Sequence, residues 1–201
     1  MSLEPNEITE TAQQARESKS RLNNWVAISV ALVATFMGIC KVKDDNIVQA
    51  MQKAQANSVD KWSYYQARNT QQKIAQATSE QFHIAVLMST GPAKTYAADR
   101  EKFYQEESKR LADEKVKVKA EAEAEDKAYD TLNYRDDQFD LSDAALAVSI
   151  ALLALTSLTQ QIGLFGLALV PTTFGFVMGL AGLVGWKIHP DFITNLLGFL
   201  R

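Results

Sequence analysis

The chain has 201 residues, a formal net charge of −3 and one cysteine, Cys40. The small charge, with acids and bases interspersed, excludes a nucleic-acid footprint, and a lone cysteine excludes an internal disulfide or a cysteine metal cluster. Apolar residues are segregated into residues 24–40 and 144–186, with a polar insert between them, which is the pattern of a membrane protein rather than of an average globular domain.

In chain order, residues 1–23 read as a polar tail or short helix. Glu7 and Glu10 come early and Arg16, Lys19 and Arg21 late, an order that suits a helix dipole. The opening lacks the charged-then-apolar layout of a cleaved leader, so the first apolar run is expected to be a retained anchor. That run, "NWVAISVALVATFMGIC" at 24–40, is the first predicted span. It is flanked by Trp25 and Arg21 on one side and by Lys41 and Lys43 on the other.

Residues 41–140 form the insert. Neither Gly nor Pro occurs in 44–88 or in 93–140, and Ala, Gln, Lys and Glu favour helix in both stretches. "DEKVKVKAEAEAEDKAYD" alternates like a strand, but its residues are strong helix formers and no turn-bounded partner strand lies nearby. The Gly91-Pro92 pair in "VLMSTGPAKTY" then predicts a turn at 89–92 between two long antiparallel helices. About 45 residues per arm would project about 65 Å as a coiled-coil-like stalk.

A tip between Thr90 and Gly91 sets Ala27 opposite Ala154, Ala34 opposite Ala147, and Ala31 beside Ala151. With Gly38, these are the candidate small-residue packing faces of the first two spans. The same register puts Lys41 opposite Asp140 and Asp143 next to Gly38, so Lys41, Lys43, Asp140 and Asp143 are the candidate ion-pairing residues at the membrane border. Asp136, Asp137, Asp140 and Asp143, with Asp44 and Asp45 nearby, could hold a hard cation, but pairing with Lys41, Lys43 and Arg135 is the simpler reading. In the stalk, Tyr104, Leu111, Val118, Leu132 and Phe139 repeat every seven residues, with Glu125 interrupting. The first arm is less regular, with Trp62, Tyr65, Ile74 and Phe82 scattered among glutamines. So thin a core calls for neighbouring subunits, or another protein partner, along the stalk.

"LSDAALAVSIALLALTSL" at 141–158 is the second predicted span, "TQQ" at 159–161 a tight polar turn, and 162–186 the third span, with Pro171 inside it. Gly175, Gly179 and Gly182 mark a helix-packing face, within the chain or between subunits. Residues 190–201, with Phe192, Ile193, Leu196, Leu197 and Leu200 at helical spacing, read as an interfacial amphipathic helix. Positive charge near the spans favours a cytoplasmic stalk and C-terminus.

No catalytic constellation, phosphate loop or metal-ligand spacing is present in the sequence, and His83 and His189 stand far apart. No enzymatic activity, cofactor or metal is therefore expected.

"RLNNWVAISVALVATFMGICKVKDDNIVQAMQKAQANSVDKWSYYQARN", 21–69, resembles a bacterial membrane-protein family known as a domain of unknown function, DUF4337. The layout of long polar helices and two C-terminal spans fits that family as well. The resemblance implies a multi-pass protein of the bacterial inner membrane and carries over no site residues. The expectation is an all-α membrane protein with three transmembrane helices and a helical hairpin between the first and second. Its partners would be the lipid bilayer and further copies of itself, in a scaffolding role; the alternative is an oligomeric channel or transport accessory subunit.

Overall fold

The computed structural model describes residues 5–188. Among these residues the regular structure is helical throughout, with no strand. Helix α1 runs Pro5–Met88, α2 Gly91–Thr159 and α3 Ile162–Val184. The predicted amphipathic helix at 190–201, with His189 before it, lies outside the described residues. All three helices are long and apolar enough to cross a membrane.

The helices end where the local chemistry stops them. Ser89 and Thr90 are non-helical, and Gly91 sits at φ +64°, a left-handed conformation that glycine, lacking a Cβ, adopts most readily. Pro92 follows in the first turn of α2, where its missing N–H costs nothing. Gln160, at φ 57°, ends α2, its backbone N–H bonding the Thr156 carbonyl at 2.8 Å. Gly185, at φ 80°, ends α3. Its N–H and that of Trp186 both donate to the Ala181 carbonyl, at 2.7 and 2.9 Å, satisfying an otherwise orphaned acceptor. The alternating Lys/Glu stretch at 113–130 is helical within α2, as its propensities dictate.

The chain forms two compact units, one of residues up to Gln49 together with those from Leu132 on, the other Ala50–Thr131. In the first, the buried apolar residues of α1 recur every seven positions, Val26, Val33, Cys40 and Ile47, with Asp44 also buried. On α2 a buried stripe recurs by threes and fours, Phe139, Ser142, Leu146, Ser149, Leu153 and Thr156, with Gln138 and Leu141 buried beside it. Such spacing places one stripe of each helix in the contact. Val26, Leu153 and Ala168 form one cluster from all three helices, with Val30, Leu152 and Phe165 packed on it.

In the second unit small side chains make up most of the seam, with Met51, Leu111 and Val118 the larger members. Ala54, Ser58, Ala75 and Ser79 are buried on α1, and Ala97, Leu111, Val118 and Ala122 on α2. Ile74, expected in the seam, is exposed, and Glu125 is half-buried.

Candidate functional site

In the first unit, α3 makes close contact through the face that carries Gly175, Gly179 and Gly182. A Cβ on Gly175 would lie 2.6 Å from Leu146 Cγ and 3.1 Å from the Ser142 carbonyl oxygen. One on Gly179 would lie 2.6 Å from the Phe36 ring, and one on Gly182 2.9 Å from the Phe139 ring. The glycines therefore let α3 seat against side chains of α1 and α2 at a distance no larger residue allows. Phe36 also stacks on Phe176, ring centroids 4.3 Å apart.

Hydroxyls tie the same helices together. Ser142 Oγ donates to the Gly175 carbonyl at 2.8 Å, and Ser149 pairs with Thr172. Thr156, Thr172 and Thr173 donate to carbonyls one turn back in their own helices. At the end of α3, Arg135 donates through Nε and Nη2 to the Gly182 carbonyl, at 3.2 and 2.8 Å. Gln138 Nε2 donates to the Trp186 and Ile188 carbonyls at 2.8 and 2.7 Å. These two α2 side chains, one turn apart, satisfy a carbonyl of the last turn of α3 and two just beyond its end, and the guanidinium complements the negative end of the α3 dipole. Sequence reading missed this clamp. Its signal was the pair of polar residues three apart just before an apolar run.

The alanines predicted to pack lie elsewhere. Ala27, Ala31, Ala34 and Gly38 are exposed on α1, and Ala147, Ala151 and Ala154 on α2. The contacts inside the chain use Val26 and Val33 instead, one residue round from Ala27 and Ala34.

At the border of the apolar segments, Lys41 Nζ bonds Asp44 Oδ2 at 2.9 Å and lies 3.5 Å from Asp45 Oδ1. These bonds hold the Lys41 ammonium above its ordinary pKa, the Asp44 hydrogen bond contributing most. Lys43, Asp140 and Asp143 are exposed, and the two aspartates line a cavity of about 20 Å³ with Met37, Cys40, Lys41, Asp44, Phe139 and Ser142. Asp44 is 5% exposed. Asp136 has its pKa raised to about 6, first by burial, then by Asp44 and the neighbouring aspartates.

In the second unit, polar side chains bridge the seam. Ser58 and Trp62 both donate to Asp126, Trp62 Nε1 at 3.1 Å, and these donors lower the Asp126 pKa. Lys61 pairs with Glu121, and Arg68 Nε lies 3.2 Å from Glu114 Oε2. Lys115 Nζ donates to Asn69 and Gln72 at 3.1 and 2.7 Å. Phe82 stacks on Tyr104 with centroids 5.8 Å apart, and His83 Nδ1 lies 3.0 Å from Glu101. Among the described residues no group of three or more His, Cys, Asp or Glu is placed to hold a metal ion.

The arrangement is one of packing and electrostatic fastening, and the comparisons with known proteins add no chemistry to it. No curated protein and no solved structure matches the chain. One family does match, over residues 22–185, and that match covers all three apolar segments and both arms between them. The chain is therefore a member of the family described as domain of unknown function (DUF4337).

Proposed function

We propose that the chain is an integral protein of the bacterial inner membrane that acts as a scaffold, assembling with copies of itself through its apolar helices and through a long hairpin. The observation that carries this reading is exposed apolar surface. In the most apolar window of each helix only 17%, 33% and 33% of residues are buried, which in water would be prohibitive and in lipid is ordinary.

An antiparallel hairpin is supported by the bridging pairs. As the α1 residue climbs through Ser58, Lys61, Arg68 and His83, its α2 partner falls through Asp126, Glu121, Glu114 and Glu101. Self-assembly is supported by what those arms leave uncovered. Val59, Ile74, Ile84, Leu87 and Val116 are each more than half exposed, outside the apolar segments that lipid would cover. The unused ladder of Ala27, Ala31, Ala34 and Gly38 is a second such surface, suited to close helix contact inside a bilayer. The channel reading draws less support, because the hydroxyls of Thr156, Thr172 and Thr173 are spent on their own helices.

The test has two parts. Membranes from expressing cells are washed at alkaline pH, and the protein should stay with the lipid. An Ala31→Cys variant on a Cys40→Ser background should then give disulfide-linked dimers in the membrane. Release by the wash contradicts the membrane reading, and a variant that never dimerises contradicts this helix contact between copies.

A further inference from the structure

We propose that the outer face of α1 in the second unit is a two-fold interface with a second copy of this chain, the two helices packed antiparallel about an axis between Ala75 and Gln76; this rests on the self-assembly reading and gives it a surface and an orientation. On α1 the buried pairs Ala54 and Ala75, and Ser58 and Ser79, fall at two positions of one seven-residue repeat. A second stripe of the same period runs along the far side of the helix: Ala67, Thr70, Ile74, Ala77, Gln81 and Ile84. All six are exposed, Ile74 and Ile84 by more than half. The outward face of a solitary hairpin has no use for isoleucines in such a repeat, whereas a second helix has. The stripe lies well beyond the apolar segment at 24–40, so lipid does not cover it.

Size complementarity favours the same stripe as its own partner. About the proposed axis Ile74 meets Ala77 of the second copy, Ile84 meets Ala67, and Gln81 meets Thr70. Each larger side chain then faces a smaller one, and two-fold symmetry makes every contact twice.

Charge complementarity fixes the register. Lys73 and Glu80 are exposed and flank the stripe on one side. Among the described residues Lys73 has no ion pair, and Glu80 receives only a 3.4 Å contact from Gln76. About the proposed axis Lys73 of each copy comes opposite Glu80 of the other, which gives two ion pairs at the edge of the interface. Moving the pairing by one heptad in either direction sets Glu80 against Glu80 or Lys73 against Lys73. A parallel pairing stacks Ile74 on Ile74 and Ala77 on Ala77, and it leaves both charges facing the uncharged Thr78 and Ala85. The antiparallel register alone satisfies both size and charge.

The experiment is disulfide trapping of the full chain in membranes, on a Cys40→Ser background. Chains carrying Ala67→Cys under one tag and Ile84→Cys under another are co-expressed and mildly oxidised. The expected result is a mixed dimer in excess over either homodimer, because about this axis two copies of position 84, or two of position 67, stand about 25 Å apart along the helices. Lys73→Glu should lower the yield of mixed dimer about threefold or more, and Lys73→Glu combined with Glu80→Lys should restore it. All four positions are exposed, so these substitutions leave the seam within the chain intact. A homodimer of Ile84→Cys as abundant as the mixed dimer overturns the proposal, and so does a double reversal no better than the single one. Native mass of the same preparation separates the two readings. An oligomer without the mixed disulfide overturns this interface and leaves self-assembly to another surface, such as the outer face of α2; a monomer overturns both.

Discussion

At Gly179 a single added methyl would sit 2.6 Å from the Phe36 ring and 2.7 Å from Ser142 Oγ, and at Gly175 it would press on a backbone carbonyl as well as on Leu146. Gly38 has nothing within 4 Å of where a Cβ would go. Gly175→Val and Gly179→Val are therefore expected to destabilise the seating of α3 by about 1–3 kcal/mol each, as overpacking does. Gly38→Ala should leave the monomer's stability unchanged. Thermal unfolding in one detergent compares all three, and equal effects would refute this packing account. Ser142→Ala removes a helix-to-helix hydrogen bond and should cost about 0.5–2 kcal/mol, since such bonds inside membranes are modest. Asp136 makes stability depend on pH. Its folded pKa of about 6 lies above the ordinary 3.8, so the folded state binds the proton more tightly. The stabilisation from that proton is complete below the ordinary value and is lost as pH rises through about 6. Unfolding followed across that range should show the decline in wild type and a flatter profile in Asp136→Asn.

The elements were partly legible in the sequence, and the reasons differ from place to place. The break before Gly91 could be read because a Gly-Pro pair interrupts two stretches that otherwise lack both residues, and φ +64° at Gly91 shows why glycine is favoured there. The helical state of the Lys/Glu alternation could be read from propensity. The seven-residue stripe of α1 is in the sequence too, but its members, Val26, Val33, Cys40, Ile47 and Ala54, vary in size and hydrophobicity, so it does not stand out from the apolar residues around it. Alanine size alone misleads about which face packs inside the chain. A small residue permits close approach without requiring it, and Ala27 and Ala34 sit one position away from the valines that make the contact. The clamp of Arg135 and Gln138 shows in the sequence only as a polar pair before an apolar run, because its acceptors depend on where the carbonyls of another helix end. Crosslinking tests the pairing of the arms. Cysteines at positions 61 and 121, on a Cys40→Ser background, should join within one chain through a short bifunctional reagent. Cysteines at 61 and 101 should not, and the reverse would refute the antiparallel register.

For the whole molecule, composition and helix length carry the membrane reading, while the purpose of the protein rests on what its surfaces leave uncovered. Neither the glycine face nor the hydroxyls remain available for partners, since both are used within the chain. What remains are the apolar side chains along the arms and the exposed alanine ladder, two surfaces of different character that further copies of the chain would cover together. The most direct measurement is the native mass of the full chain in nanodiscs or mild detergent. A scaffold predicts a discrete multiple of the 22.3 kDa chain that persists on dilution. A stable monomer at every concentration would contradict it.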